Sequence, residues 1–166
     1  MLIKKRNVSF YLTYAIIAAI LYAIPTLFFL RDAQYSQAWL LYLGNAFFLA
    51  AMVVAVIALN KRYGGNATTR SLIVGGHVIT IIGVVIACII ALILLMIYEP
   101  ELFQSRNTGV VLEGKPANSG NLFFIIIISA LVVNFAAGSF ASFMFPYTVK
   151  RNQTTERGKN VSDPLV

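Results

Sequence analysis

The hydrophobic positions of this chain fall into four long runs that contain no Asp, Glu, Lys or Arg. The runs cover residues 7–30, 33–60, 71–98 and 116–149. A membrane-spanning helix needs about 20 apolar residues, so each run can hold one span, and none can hold two spans and a turn. Lipid offers unpaired backbone amides no partner, and the alternation typical of barrel strands is absent. We therefore predict four transmembrane helices.

Together the predicted helices form an all-α bundle, a polytopic membrane domain within residues 1–149. Their expected limits are about 9–30, 38–60, 71–98 and 122–146. The first run is expected to be retained rather than cleaved as a signal peptide. It is longer than the usual span of about 7–15 apolar residues, and no Ala-x-Ala site closes it.

The third run, Ser71 to Tyr98, is the clearest of the four. Its 28 residues would form a helix about 42 Å long, more than the roughly 30 Å hydrocarbon core of a bilayer. It is apolar on every side, which is typical of a helix in lipid or in a fully buried core. It also contains the chain's only histidine and only cysteine.

Proline and loop residues mark the expected ends of the helices. Pro25 is predicted to kink the first helix or to end it, and Pro146 is predicted to end the fourth. Residues 99–121 form the longest predicted loop, on the outer side, with an ordered turn or two at most. The tail, residues 150–166, is basic and is expected to be disordered past Gln153.

The composition supports a membrane protein. Hydrophobic residues make up 59% of the 166 residues and charged residues only 11%, against about 25% in a soluble domain. A soluble fold of this length could not bury so much apolar surface. The single cysteine, Cys88, excludes an internal disulfide and is expected to be a small buried hydrophobe. Because no Cys/His spacing typical of a zinc site occurs, we expect no metal and no cofactor.

The positive charges are distributed unequally between the two sides that four spans create. Ten of them lie in the N-terminus, the 61–70 loop and the tail, whereas three lie in the other two loops. The ten are Lys4, Lys5, Arg6, Lys61, Arg62, Arg70, Lys150, Arg151, Arg157 and Lys159. Cytoplasmic loops carry an excess of Lys and Arg, so we predict a protein of the cell membrane with both termini in the cytoplasm. Anionic lipid headgroups, rather than nucleic acid, are the expected partner of this basic side.

No residue pattern of a catalytic site is present. The predicted spans contain no charged residue, which counts against a proton- or sodium-coupled pump because such pumps need intramembrane charge. There is no Gly-rich phosphate loop, Ser/His/Asp set or pair of carboxylates of the kind that enzymes use. We therefore expect that the protein is not an enzyme.

Weakly polar residues form a candidate cluster near the cytoplasmic ends of the spans. His77 is the only intramembrane group that could titrate near neutral pH. At its depth the predicted neighbours are Thr13 and Tyr14 of the first helix and Ser139 and Ser142 of the fourth. We favour a neutral histidine that is hydrogen-bonded between helices, with a proton relay or a metal ligand as the alternatives.

Two asparagines are the other strongly polar groups within the spans. Asn45 and Asn134 differ in predicted depth by roughly one helical turn, about 5 Å, which is within side-chain reach if their helices touch. We predict a hydrogen bond between them that fixes helix packing, in preference to a contact with a substrate.

Small residues recur at a spacing of four on the third and fourth helices, which lets helix backbones approach closely. In the third helix these positions include Gly76, Gly83 and Ala87. In the fourth, Gly138 shares a face with Asn134 and Ser142. The next face carries Ser129, Val133, Ala137 and Ala141. Packing within the chain is the favoured interpretation, and contact with a second subunit stays open.

These patterns predict an accessory or structural membrane subunit that acts by helix–helix contacts, either with a membrane-protein partner or as a homo-oligomer. The alternative is an oligomeric transporter or channel for a small neutral or weakly polar solute. That alternative depends on the polar layer around His77. Many unrelated proteins have four spans, so the architecture alone does not distinguish the two functions.

Overall fold

The structure is a computed structural model whose described residues are helical apart from short connections. It describes residues 5–32, 37–64, 67–100 and 118–161, with side chains for 8–31, 37–64, 67–100 and 122–150. The helices are α1 (Lys5–Asp32), α2 (Trp39–Arg62), α3 (Thr69–Tyr98), α4 (Asn118–Ile128) and α5 (Asn134–Val161). A π-helical segment, Ser129–Val133, joins α4 to α5, and these three elements together form what we call the fourth span.

Four helices are long and apolar enough to cross a membrane, so the prediction of four spans is confirmed. These spans are Val8–Arg31, Trp39–Arg62, Thr69–Tyr98 and Leu122–Lys150. Within the described ranges no residue is in a strand, which agrees with the all-α prediction. The chain is therefore a multi-pass membrane protein. Most of the long predicted loop 99–121 lies outside the described residues.

Neither proline ends its helix. Pro25 lies inside α1 and Pro146 lies inside α5, which continues to Val161. The predicted end at Pro146 is thus wrong. The disorder expected past Gln153 stays a prediction. A membrane helix tolerates proline because neighbouring helices and hydroxyl side chains can satisfy the freed backbone groups. Beyond Pro146 the next strong helix breaker is Gly158.

The connection between α2 and α3 is short and has defined ends. Gly64 adopts a positive φ of 59°, a conformation that glycine takes at little cost. The Thr68 hydroxyl then accepts a hydrogen bond from the Ser71 amide at 3.2 Å, which caps the first turn of α3. This turn reverses the chain direction and lets α3 cross back.

The helices pack as two outer elements on a central pair. α1 packs against both α2 and α3, and the fourth span packs against the same two helices. Alanines without exposed surface lie at many of these contacts and allow close approach. They are Ala15, Ala18, Ala19, Ala55, Ala87, Ala130 and Ala141. The outward faces carry large apolar side chains, as expected for helices that contact lipid.

Contacts of α3 with its neighbours show which helix ends lie together. A Cβ on Gly75 would contact Leu59 of α2 and Tyr11 of α1, and one on Gly76 would contact Ser142 of α5. The start of α1, the end of α2, the start of α3 and the α5 end of the fourth span therefore share one end of the bundle. We call it the terminal end, and the other end the opposite end.

Candidate functional site

The π-helical segment sets the direction of the polar groups in the fourth span. The backbone N–H of Asn134 donates to the carbonyl of Ser129, five residues earlier, so this turn contains about one residue more than an α-helical turn. The buried face therefore moves by one position. Asn134 and Ala130 have no exposed surface, whereas Val133, placed on a packing face by its spacing, is 37% exposed.

Asn45 of α2 pairs with Ser129 at the start of the π segment. The Asn45 amide donates from Nδ2 to Ser129 Oγ at 3.0 Å, and Ser129 Oγ can donate to Asn45 Oδ1 at 3.3 Å. Both side chains are buried. The structure thus joins Asn45 to Ser129 rather than to Asn134. Spacing on a straight α-helix could not indicate this pair, because the extra residue of the π turn changes the direction of Ser129.

A tyrosine of α1 completes the polar contacts in the half of the bundle near the opposite end. Tyr22 is fully buried, and its hydroxyl donates to the Ile126 carbonyl of α4 at 3.5 Å. The neighbouring Thr26 hydroxyl donates to the Tyr22 carbonyl at 3.0 Å within α1. Sequence reasoning missed both residues. Burial of a polar aromatic ring depends on which side of α1 faces the bundle, and the weak amphipathicity of this helix did not reveal that side.

Asn134 has the least satisfied side chain of the described buried polar residues. It has no exposed surface, and neither Nδ2 nor Oδ1 has a hydrogen-bond partner in the part of the chain that the structure describes. An unpaired amide in an apolar interior costs free energy, so most buried amides in proteins are paired. Among the described buried residues, Asn134 is therefore the one whose side-chain amide has no partner at either polar atom.

Close contacts between α3 and α5 form a second group of buried residues. Ser142 donates from Oγ to the Gly138 carbonyl at 2.7 Å, and Thr80 donates from Oγ1 to the Gly76 carbonyl at 3.0 Å. The two hydroxyls are 3.4 Å apart. A Cβ on Gly76 would lie 2.6 Å from Ser142 Oγ, and one on Gly138 would overlap Thr80. These glycines therefore let the two helices touch.

The remaining small positions of α3 also face the interior. A Cβ on Gly83 would lie 3.3 Å from the Phe48 ring of α2 and 3.5 Å from the Ala15 carbonyl of α1. Ala87 is fully buried one turn further along. The small residues singled out in α3 and in α5 are thus used in contacts within the chain.

The polar cluster predicted around His77 is not brought together. His77 is half-buried, and its Nδ1 is 2.9 Å from the Ile73 carbonyl of its own helix. Because a carbonyl only accepts, Nδ1 carries the proton in this contact. The imidazole meets the Phe143 ring edge-on, with ring centres 4.9 Å apart. A hydroxyl–imidazole hydrogen bond is not among the described contacts of His77.

The other predicted members of this cluster lie apart. Thr13 is exposed and donates from Oγ1 to the Ser9 carbonyl at 2.8 Å, within α1. Tyr14 packs on the Phe10 ring, with ring centres 4.5 Å apart. Ser139 has a buried hydroxyl without a partner among the described residues. Of the five predicted residues, Ser142 is the one that joins a hydrogen-bonded contact between helices.

The described interior therefore offers amides, hydroxyls and one imidazole, but no charged group. No set of three or more His, Cys, Asp or Glu side chains that could hold a metal ion occurs in the described ranges. Cys88 is partly buried and has a free thiol. Such groups can fix helices or bind a neutral hydrogen-bonding molecule. Comparisons with protein-family models, with curated proteins and with solved structures find no match to this chain.

Proposed function

We propose that this chain is an accessory or structural membrane subunit that acts through helix–helix contacts with a membrane-protein partner. The observation that carries the proposal is the outward face of α2. Tyr42, Ala46, Ala50 and Val54 follow one another at a spacing of four, and all are exposed. We call these four residues the α2 face.

Small side chains matter at such a face because helices in lipid gain little from the hydrophobic effect. Their association depends on close van der Waals contact, which small residues permit. The exposed positions of α3 are large by comparison and include Ile81, Val85, Ile89 and Ile93. The small residues of α3 are already used inside the chain, so the α2 face is the surface that can receive another helix closely.

The transport alternative has weaker support. It depended on a polar layer of Thr13, Tyr14, His77 and Ser142, and these side chains do not meet in the structure. Glycine and alanine residues instead bring α1, α2, α3 and α5 into close contact. The accessory role requires no passage through the bundle.

Enlarging the α2 face is expected to release the partner. In Ala46→Leu/Ala50→Leu protein, two bulky side chains would separate the helix backbones that now can touch. We expect at least a tenfold loss of partner when the tagged protein is extracted gently from its own membranes and its companions are quantified by mass spectrometry. Ala136→Leu is the matched control, since Ala136 is an exposed alanine of α5, and it should retain the partner.

Two outcomes of this experiment contradict the accessory role. One is a wild-type protein that is recovered as a monomer with no stoichiometric companion. The other is a companion that stays bound equally well to the double variant. A pure homo-oligomer would favour the transport alternative.

We further propose that the terminal end lies in the cytoplasm. Lys61 and Arg62 are exposed at this end, and the Arg62 guanidinium lies 5.0 Å from the centre of the Phe10 ring. Cations beside aromatic rings at a helix end suit an interface with anionic lipid headgroups.

A cysteine-accessibility measurement tests this orientation. In a Cys88→Ala background, an impermeant maleimide added to intact cells should label Glu99→Cys protein. It should label Lys61→Cys protein only after the membrane is permeabilised. The reverse pattern would place the termini outside.

A further inference from the structure

Residues 122–128 of α4 are apolar on every side of the helix, so their sequence permits more than one rotational setting. The core-facing residues are Leu122 and Ile126 of α4 and Ala130 of the π segment. The residues that follow each of them are Phe123, Ile127 and Leu131, which are also apolar. A rotation by one residue would exchange one apolar set for the other, with Leu131 requiring more space in the core than Ala130.

Few polar contacts hold α4 in its observed setting. Among the described residues they include the Asn45–Ser129 side-chain pair and the hydrogen bond from Tyr22 to the Ile126 carbonyl. α5, in contrast, is held against α3 where Gly138 meets Thr80, and a Cβ there would overlap the threonine. If one part of the fourth span turns, it is therefore α4.

The π segment is where such a turn can be absorbed. It holds one residue more than an α-helical turn, and each residue of an α-helix rotates the chain by about 100°. Asn134, which follows the segment directly, has an amide with no described partner. The observed setting thus gains the Asn45–Ser129 pair but carries an irregular turn and an unsatisfied amide.

We propose that the fourth span is a two-position device in which α4 turns by about one residue at Ser129–Val133 while α5 stays in place. In the observed position, α4 is held by the side-chain hydrogen bond between Asn45 and Ser129. In the second position the turn is α-helical, Ser129 leaves Asn45, and Leu131 replaces Ala130 in the core. The rotation also breaks the hydrogen bond from Tyr22 to the Ile126 carbonyl. This inference is independent of the accessory role.

Distances between paired spin labels test the proposal in the full chain, in lipid nanodiscs and a Cys88→Ala background. One pair joins Phe124→Cys of α4 to Met96→Cys of α3, both exposed sites. Rotation by about 100° moves a label on a helix surface by about 8 Å. We expect Ser129→Ala to populate a second distance. Deletion of Val132, an exposed π-segment residue, removes the extra residue of the turn, so the span can be α-helical throughout with α4 in its observed position, and this variant should show the wild-type distance alone.

The control pair lies in the part of the bundle that is not expected to move. Labels at Ile81→Cys of α3 and Phe140→Cys of α5, both exposed, should keep one distance in every variant. The proposal is overturned if Ser129→Ala leaves the Phe124–Met96 distance at its wild-type value. It is also overturned if the control pair changes in parallel, because the whole bundle has then rearranged. The Ser129→Ala result decides alone if the deletion variant does not fold.

Discussion

Replacing Gly138 by alanine is expected to destabilise the bundle by about 1–3 kcal/mol, the usual cost of adding volume to a packed core. The new Cβ would overlap Thr80 Cγ2 and would lie 2.7 Å from Oγ1 and 3.1 Å from Cβ of the same residue. Threonine is branched at Cβ, so no rotamer change moves all three atoms away. The two helix backbones would have to separate.

The direction of this effect is diagnostic. Alanine has a higher intrinsic helix propensity than glycine, by about 1 kcal/mol in exposed helices. A Gly→Ala change without a steric clash should therefore stabilise a helix. Reversible unfolding of the purified protein in mixed micelles gives the free-energy difference, and Ala136→Val at an exposed site of the same helix should change it little.

Shortening the opposing side chain should restore part of the stability. Thr80→Ala removes the two atoms nearest to the added methyl group, although it also removes the hydrogen bond to the Gly76 carbonyl. In a double-mutant cycle, Gly138→Ala should cost less in the Thr80→Ala background than in the wild type. Equal costs in both backgrounds would mean that the Gly138–Thr80 contact does not limit the approach of α5 to α3.

The four spans could be predicted because the constraint that forms them is local. A run such as 71–98 has no charge, and a chain in lipid must satisfy its backbone hydrogen bonds within the run. The same local reasoning led to the wrong prediction that the fourth helix ends at Pro146. A proline removes one hydrogen bond, but tertiary packing and a helix-compatible sequence on both sides decide whether the helix continues.

The candidate site was predictable only in its residue types. Asn45, Asn134 and Ser142 were expected in the interior and are buried there. Their partners were not predictable, because a straight helix was assumed across Ser129–Val133. One additional residue in a turn rotates the helix that precedes the turn by about 100° relative to the helix that follows it. No feature of the apolar stretch around Ser129 indicates that irregularity.

The polar side chains predicted around His77 do not meet, and the reason is different. Depth along the membrane normal can be estimated from sequence, but the direction in which each side chain points cannot be estimated for helices that are apolar all round. Thr13 and Tyr14 lie near the expected depth, yet one is exposed and the other packs on Phe10. Equal depth therefore did not place these side chains in contact.

Replacing Asn134 by valine is expected to stabilise the protein by about 1–3 kcal/mol, because it removes an unsatisfied buried amide. Both polar atoms of this side chain are buried without a described partner, and valine fills a similar space without a hydrogen-bonding group. The same change at Asn45 should act in the opposite direction. It removes the pair with Ser129 and should cost about 0.6 kcal/mol, the average measured for hydrogen bonds between membrane helices, and at most about 1.7 kcal/mol.

The two substitutions are expected to change the stability in opposite directions. A general effect of removing an asparagine from the membrane would change the stability in the same direction for both, so the comparison separates the two explanations. Thermal unfolding in detergent should give a higher midpoint for Asn134→Val and a lower one for Asn45→Val than for the wild type. If Asn134→Val is destabilised as much as Asn45→Val, the Asn134 amide has a partner that stabilises the fold. If it is stabilised as expected, the wild-type chain carries an avoidable cost at the centre of its fourth span. Such a cost is typical of groups that serve function rather than stability, and Asn134 would then be the first residue to test for a role in partner binding or in the movement of α4.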